Sequence, residues 1–426
     1  MVYILPGAGS PGGARGRHGQ RERGPRARPR RPRGWSPTLA CTVLVVAATM
    51  LAACGSGSSR GSTSIAAVYR WGVVGNQGKI AQLELSTPSA IAGISGKVVQ
   101  IATSNSDGYA LTTTGQVYGW GVNSYGELGE GELTPYETKA VKVDFPAGVK
   151  ITTLANPMPF DAGLAIDSGG YAWGWGLNAA SDLCLSNLIE TRPQELPLSD
   201  VTLATGARTH ALFDANGIVY ACGSGDAGEL GHGSTTSATT PRPIIGLPSG
   251  VKVTALTSSW EGSGALLANG DYYNWGYSAA GQLGDDTTAN SAVPVEVDLP
   301  GPVAEVFQGG SGAKNGQTIA ILKGGSVWTW GNNDAGQLGI GTRTNSDVPV
   351  QVHVPTGVTF VEVNSGGYAS YAIDETGRLW AWGDNSNGQL GTGTHDSSET
   401  LPIDVGIHLT QVSSTAQNVA GLGKRS

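Results

Sequence analysis

The sequence predicts an all-β fold in which one four-stranded unit recurs seven times around a closed ring. Three observations support this prediction. A ten-residue segment recurs along the chain, the composition favours strands over helices, and the two ends of the chain each carry part of one unit. A ring of this kind is a seven-bladed β-propeller, in which each unit forms one blade.

The recurring segment is clearest as WGNNDAGQLG, which begins at Trp330. We call each copy an anchor segment; the other copies begin at Trp71, Trp120, Trp175, Cys222, Trp275 and Trp382. Consecutive anchor segments begin about 52 residues apart on average, which is typical of propeller blades. An aromatic residue stands two positions before each of these first residues, so six of the copies place two large rings on one face of a strand. Because the tryptophans recur with the blades, we predict a structural role for them.

Each anchor segment ends a short strand, and three further strand-like runs complete the unit. A turn with Gly, Asn or Asp precedes the strand, as in DETGR at Asp374 to Arg378. A Pro-led strand such as VPVQVHVP, Val348 to Pro355, follows the segment. Glycines follow the tryptophans, where tight loops need a positive φ or close backbone approach, and we predict a structural role for Gly121, Gly276, Gly331 and Gly383.

The two ends of the repetitive region complement each other. The N-terminal SIAAVYRWG contains only the last part of a unit, and the C-terminal LTQVSSTAQNVAGL contains only the first part. We therefore predict that N- and C-terminal strands pair in one shared blade, which removes an exposed sheet edge. This assigns residues 64–423 to the propeller and residues 424–426 to a tail.

The anchor segments resemble the RCC1 repeat, named for the regulator of chromosome condensation. The pattern Trp-Gly-x-Asn-x-x-Gly-Gln-Leu-Gly is near-complete in four or five copies, and the resemblance covers essentially all of residues 64–423. It implies a seven-bladed propeller that works by binding rather than by catalysis. His210 stands where this family often carries a histidine inside the blade, which implies a structural role for it.

The first 63 residues differ from the rest of the chain. Residues 1–53 contain an arginine-rich stretch followed by the uncharged run Leu39 to Ala53, which is typical of a signal peptide. The sequence LAAC that ends at Cys54 resembles a bacterial lipobox, which implies lipidation of Cys54 and a Gly/Ser tether over residues 54–63. We expect export and a lipid anchor on the outer face of a bacterial membrane; the alternative is an ordinary secretory signal with an incidental Cys54.

Charge argues against nucleic acid as a partner. Nine of the 26 basic residues precede Gly34, against one of the 33 acidic residues. The chain beyond Cys54 therefore carries 17 basic and 32 acidic residues, a formal charge near −15. Such a body repels phosphate backbones.

No catalytic or metal-binding motif emerges from the sequence. The six histidines lack the spacing of metal ligands, and we expect no cofactor and no metal. Apart from the two cysteines of the N-terminal region, the chain contains Cys184 and Cys222. In an exported protein they can form a disulfide, and two buried free thiols are the alternative.

Binding is predicted where the repeat is broken, in the loops between the first two strands of each blade. Candidate contact residues in these loops are Tyr109, Met158, Phe160, Trp260, Glu261 and Lys314. Tryptophan and tyrosine are typical anchors of protein interfaces, although such rings can instead fold back into the core.

We therefore expect a monomeric, non-catalytic binding module for a protein partner. Inhibition of a secreted enzyme is one version of it, because a similar exported propeller family includes β-lactamase inhibitors. Nucleotide exchange on a small GTPase, the founding activity of the family, is an alternative that export and the acidic body disfavour. A cell-wall-active enzyme is the third possibility, for which no carboxylate pair stands out.

Overall fold

The computed structural model describes residues 66–74, 83–310, 315–396, 398–415 and 417–424. The chain divides into two units, Met1–Gly61 and Ser62–Ser426. The predicted signal peptide (1–53) and tether (54–63), with Cys54, lie outside the described residues.

The described residues form 28 strands. The first two are β1 (Ala66–Val74) and β2 (Leu83–Ala90). Blade 1 consists of β3 (Val98–Thr103), β4 (Asp107–Thr112), β5 (Val117–Asn123) and β6 (Thr134–Lys142). Blade 2 consists of β7 (Ile151–Leu154), β8 (Ala162–Asp167), β9 (Ala172–Leu177) and β10 (Ile189–Glu195). Blade 3 consists of β11 (Val201–Gly206), β12 (His210–Ala215), β13 (Ile218–Gly223) and β14 (Ala238–Pro243).

The next three blades have the same antiparallel order. Blade 4 consists of β15 (Val253–Ser259), β16 (Gly262–Leu267), β17 (Tyr272–Gly276) and β18 (Ser291–Glu296). Blade 5 consists of β19 (Val303–Gly309), β20 (Gln317–Leu322), β21 (Val327–Gly331) and β22 (Ser346–Gln351). Blade 6 consists of β23 (Phe360–Ser365), β24 (Ala369–Asp374), β25 (Arg378–Gly383) and β26 (Glu399–His408).

Blade 7 is shared by the two ends of the described chain. Its remaining strands are β27 (Gln411–Thr415) and β28 (Asn418–Lys424), and the sheet order is β2-β1-β28-β27. β1 and β28 run antiparallel, with Val68 opposite Leu422 and Trp71 opposite Val419. The predicted closure by N- and C-terminal strands is therefore confirmed.

The blades follow one another around a ring. The innermost strands of neighbouring blades are in contact: β11 with β15, β15 with β19, β19 with β23, β23 with β27 and β27 with β3. Blades 1 and 2 meet through β3 and β7, and blades 2 and 3 through β8 and β11. The ring closes, so the predicted seven-bladed β-propeller of four-stranded blades is confirmed.

The apolar core is distributed between the blades. The second strand of blades 1 to 6 is buried along its whole length, whereas no residue of the outermost strands β18 and β22 is fully buried. Each buried cluster joins adjacent blades; one contains Ile319 and Val327 of blade 5 together with Phe360 and Trp382 of blade 6. A single blade could not bury both faces of its sheet, so the ring depends on these junctions.

The asparagine of the anchor segment holds the loop that follows it. In blade 5, Asn333 Oδ1 accepts the backbone N–H of Leu338 at 2.9 Å, and its Nδ2 donates to the carbonyl oxygens of Thr342 and Thr344 at 3.0 Å. Gly331 precedes this loop with φ 104°, and a Cβ there would lie 2.6 Å from the carbonyl oxygen of Gly316. The segment therefore organises a tight loop.

Five of the six anchor tryptophans join their blade to the preceding one through described residues. The indole Nε1–H donates to the backbone carbonyl oxygen at the seventh residue after the previous anchor tryptophan or cysteine. These bonds measure 2.8–3.0 Å and run from Trp175 to Glu127, Trp275 to Glu229, Trp330 to Gln282, Trp382 to Gln337 and Trp71 to Gln389.

The junction between blades 2 and 3 contains a disulfide where other junctions have a contact between a glycine and a tryptophan. At five other junctions, a glycine nine residues after the anchor tryptophan or cysteine packs against the next tryptophan; a Cβ at Gly339 would lie 2.7 Å from Trp382 Nε1. At the blade 2–3 junction the glycine is replaced by Cys184 and the tryptophan by Cys222, and the two are bonded with Cα atoms 5.6 Å apart. Cys184 keeps the positive φ of the glycine it replaces, 54° against 68° at Gly339. The disulfide between Cys184 and Cys222 therefore takes the place of the glycine–tryptophan contact.

Candidate functional site at the mouth of the channel

All seven blades line one depression on the axis of the ring. Its wall is built by the loops that connect the innermost strand of a blade to its second strand. Its lining includes Asn105, Phe160, Arg208, Trp260, Gly309, Ser365 and Thr415, one residue from each blade. We call this depression the channel mouth.

Two of the predicted contact residues meet at the channel mouth. Phe160 of blade 2 and Trp260 of blade 4 are both half-buried. Their ring centroids lie 5.3 Å apart at an interplanar angle of 74°, an edge-to-face arrangement. Blade 3 separates their strands, so the two side chains reach over its loop.

The prediction that Tyr109 contacts a partner is wrong. β4 begins at Asp107, so Tyr109 belongs to a strand and not to the loop before it. Its ring is fully buried against Trp175, with centroids 5.9 Å apart, and its hydroxyl donates to the carbonyl oxygen of Glu127 at 2.7 Å. Strand alternation turns this residue toward blade 2.

Met158 is also a core residue rather than a contact residue. The peptide bond between Asn156 and Pro157, just before Met158, is cis. The Met158 side chain is 1% exposed, and the backbone N–H of Leu164 donates to its sulfur at 3.2 Å. Its prediction as a binding residue is therefore wrong, although its loop does border the channel mouth.

The two predicted charged contacts have different outcomes. Glu261 follows Trp260 and is half-buried; burial, then the nearby carboxylate of Asp226, raises its pKa. Lys314 lies outside the described residues.

Arg208 is a charged residue of the channel mouth that the sequence analysis did not single out. It is exposed, and its guanidinium carbon lies 4.1 Å from the centroid of Trp260 and 4.8 Å from the centroid of Phe160. Both distances are within the range of cation–π attraction. Phe160, Arg208 and Trp260 therefore form one cluster, which we call the Arg-aromatic cluster.

The three members of the cluster occupy one equivalent position in consecutive blades. The first residue of the second strand, or its equivalent, pairs with the glycine after the anchor tryptophan or cysteine: Ala162 with Gly176, His210 with Gly223 and Gly262 with Gly276. Two residues earlier stand Phe160, Arg208 and Trp260. The same position holds Asn105, Asn315 and Gly367 in blades 1, 5 and 6. This register, which needs the strand boundaries, is the signal that could have found Arg208.

Hydrogen bonds between innermost strands distinguish two sectors of the channel wall. Backbone N–H groups of Val363, Val412, Ile101 and Leu154 donate, at 2.7–3.1 Å, to side-chain oxygens of Glu305, Glu362, Gln411 and Gln100 of the preceding blade. Burial raises the pKa of Glu305 to about 7 and that of Glu362 to about 8. Blades 2, 3 and 4 carry Thr153, Leu203 and Ala255 at this register position. The less polar sector thus coincides with the blades that carry the Arg-aromatic cluster.

His210 is buried and satisfied rather than poised for catalysis. Its Nε2 lies 2.7 Å from Ser263 Oγ, and Ser263 donates to the carbonyl oxygen of Glu229 at 2.7 Å. The Ser263 proton is therefore engaged, and His210 Nε2–H must be the donor to the hydroxyl. Burial lowers the pKa of His210 to about 3, which keeps the ring neutral.

Buried carboxyl groups gather at the junction of blades 1 and 2. Burial, then the nearby Glu127 and Asp161, raises the pKa of Asp107 well above its usual range. Burial raises the pKa of Glu127 to about 7. Within the described ranges, no three His, Cys, Asp or Glu side chains are arranged to hold a metal ion. In the same part of the chain, no helix is long and apolar enough to cross a membrane.

The repeat profile places these blades among known proteins. The regulator of chromosome condensation (RCC1) repeat matches residues 216–266, 324–373 and 376–421. A second profile of the same repeat matches residues 98–127 and 360–389. The chain contains RCC1 repeats. The matched stretches fall on blades 1, 3, 4, 5, 6 and 7, and blade 2 shares the same four-stranded order.

Proteins with similar sequences come from animals and plants. The E3 ubiquitin-protein ligase HERC2 of Homo sapiens is 28% identical over 315 residues, which is 70% of this chain but only 6% of the ligase. The ultraviolet-B receptor UVR8 of Arabidopsis thaliana is 28% identical over 319 residues, 72% of this chain and 70% of the receptor.

A solved structure supports the fold of the RCC1 repeats. Prp20p of Saccharomyces cerevisiae superposes with a TM-score of 0.71 at 21% identity, and the match covers 86% of this chain and 93% of Prp20p. That structure was described together with the binding of Prp20p to Gsp1p and histones. At this identity the likeness shows the fold alone.

Proposed function

We propose that the propeller is a non-catalytic binding module that holds a protein partner at the channel mouth. The observation that carries this proposal is the Arg-aromatic cluster. Phe160 and Trp260 are large, half-exposed rings at the opening of the ring axis, whereas the anchor tryptophans are fully buried. Aromatic and arginine side chains at the centre of a patch commonly dominate the energy of protein interfaces.

The relatives are consistent with a binding role. Prp20p binds Gsp1p and histones, so a protein of this fold serves as a docking surface for other proteins. The channel mouth supports the same role here because its rings stand on loops. The innermost strands beneath these loops are joined to neighbouring blades by hydrogen bonds, from Leu154 to Gln100 and between Thr205 and Ser258. A rigid scaffold with side chains on loops is a common arrangement for recognition.

The test is capture of exported and cell-surface proteins by the unit Ser62–Ser426, whose described strands close the ring among themselves. We expect Phe160→Ala and Trp260→Ala to weaken capture by about tenfold or more, since central aromatic residues carry much of an interface's energy. The melting temperature should change little, because both rings are half-exposed. Val361→Ala, an exposed residue of β23, is the control. A large melting shift with intact capture would place the rings in a structural role and refute the proposal.

We further propose that this module is exported and tethered through Cys54, and that inhibition of a secreted enzyme is one use of it. The lipobox-like LAAC supports the tether. The bond between Cys184 and Cys222 supports export, since disulfides persist mainly outside the reducing cytosol. Cys54→Ala should move the protein from the membrane fraction to the soluble fraction. Unchanged fractionation would rule the tether out.

A further inference from the structure

Arg208 carries a positive charge at the channel mouth that forms no ion pair among the described residues. The ion pairs among the described residues are Arg192 with Asp144, Arg378 with Asp404, and His395 with Glu84. Arg208 is in none of them, and it makes no side-chain hydrogen bond within the same part of the chain. Its contacts there are the two aromatic rings, so its N–H groups have no acceptor among the described residues.

The two rings hold the guanidinium at the channel mouth. Its carbon lies 4.1 Å from the Trp260 centroid and 4.8 Å from the Phe160 centroid, while the two rings contact each other at 5.3 Å. Contact with aromatic faces favours one orientation and takes water away from the group. A guanidinium held in this way loses less conformational entropy when it binds an anion.

The surrounding charge limits which anion can bind. The chain beyond Cys54 has a formal charge near −15, which repels nucleic acids and other polyanions. A single guanidinium offers N–H donors in a planar fork that matches one carboxylate. The neighbouring acid, Glu261, is not within ion-pair distance of Arg208, so it does not occupy the fork.

We infer that the Arg-aromatic cluster is a carboxylate-recognition site, in which Arg208 binds a carboxylate of the partner while Phe160 and Trp260 cover the apolar part of the same residue. The carboxylate comes from an acidic side chain or from a chain terminus. This inference rests on the proposed function, because it assigns the chemistry of the group that the channel mouth holds. It also predicts that the interaction weakens as ionic strength rises.

A direct test uses short peptides as probes. The side-chain Nε–Hε NMR signal of Arg208, assigned with Arg208→Lys, is followed on addition of acetyl-Gly-Glu-Gly-amide. Acetyl-Gly-Gln-Gly-amide lacks the charge, and acetyl-Gly-Gly-Gly with a free carboxyl terminus tests the second source of carboxylate. We expect saturable shifts with one or both carboxylate peptides and none with the glutamine peptide. The exposed Arg343 supplies the control signal.

Equal shifts with the glutamine peptide, or no shift with either carboxylate peptide up to tens of millimolar, would overturn the inference. Inorganic phosphate is added in a separate arm. Tighter binding of phosphate than of both carboxylate peptides would also overturn it, because the site would then be a phosphate site.

Captured partners give a second readout that separates this inference from the proposed function. Arg208→Gln should weaken capture by about tenfold or more, and Arg208→Lys should restore only part of it because lysine lacks the planar fork. Arg343→Gln should change capture by less than about twofold, because Arg343 is exposed and lies outside the site. If Trp260→Ala abolishes capture while Arg208→Gln leaves it intact, the carboxylate inference fails and the proposed function stands. If neither change affects capture, both fail.

Discussion

The indole Nε1–H of Trp382 in blade 6 donates to the backbone carbonyl oxygen of Gln337 in blade 5 at 2.8 Å. The same carbonyl oxygen accepts the hydroxyl of Ser370, also at 2.8 Å. Both donors belong to the following blade, so one loop carbonyl fixes two of its strands. The repeated tryptophan therefore positions a neighbouring blade as well as filling space.

Replacing this tryptophan should weaken the junction. We expect Trp382→Phe to lower the free energy of unfolding by about 1–3 kcal/mol, because it removes a buried hydrogen bond and leaves a smaller ring. Urea denaturation followed by circular dichroism measures the change.

A matched control for this change is Trp328→Phe. Trp328 is half-buried, and its Nε1–H donates to Ser326 within the same blade at 3.1 Å. This change should cost less than about 1 kcal/mol. Equal losses in the two variants would show that the bond between blades contributes nothing specific.

The disulfide between Cys184 and Cys222 should be replaceable by the pair found at the other junctions. Cys184→Ala with Cys222→Ala should lower the free energy of unfolding by roughly 3–4 kcal/mol, given the 38-residue separation of the two cysteines. Cys184→Gly with Cys222→Trp should recover part of this loss, because it recreates the contact of Gly339 with Trp382. Thermal denaturation of the three proteins compares them. If the Gly/Trp variant is no more stable than the Ala/Ala variant, the two junction types are not equivalent.

The buried carboxyl group of Glu229 should make stability depend on pH. Glu229 stands where blade 5 has Gln337, and each side chain accepts a backbone N–H at 2.9 Å. Gln337 Nε2 also donates to Asn332, whereas the corresponding Glu229 Oε1 is buried without a hydrogen bond. Burial raises the pKa of Glu229 from 4.5 to about 7.

The sign of the effect follows from proton binding. Between about pH 4.5 and pH 7 the folded state holds a proton at Glu229 that the unfolded state has lost, so the free energy of unfolding falls as pH rises. We expect Glu229→Gln to be more stable than the natural protein at pH 8 by about 1–3 kcal/mol, and nearly equal to it at pH 4. Denaturant titrations at both pH values measure this. Glu375→Gln, at an exposed position, is the control, and an equal gain there would contradict the assignment.

The sequence predicted the architecture because the repeat carries it in contiguous residues. Local patterns contain the Trp–Gly pairs, the turns before them and the half-units at each end. The number of these units predicts a ring of seven blades. The disulfide needed more, since only the structure shows that the glycine nine residues after one anchor tryptophan meets the next tryptophan. With that contact known, Cys184 and Cys222 are equivalent to Gly339 and Trp382.

The site was predicted less well because its residues depend on strand boundaries. Because β4 begins at Asp107, Tyr109 is a core residue and not the loop residue that the sequence predicted. Arg208 was missed for the related reason that its equivalence to Phe160 and Trp260 depends on the pairing register. Hydrophobicity alone does not distinguish a ring on the axis from a ring between blades.

The pairing of β1 with β28 has a consequence for how the molecule is made. A ribosome completes β1 before any other described strand and β28 after all of them, so the edge of β1 that pairs with β28 stays open until nearly the whole propeller has been synthesised. Until then the nascent chain is an open arc, and one edge of β1 is unpaired at its leading end. Closing this arc joins residues far apart in the chain, and it is the step at which a chaperone, or premature pairing with a second chain, would have most influence.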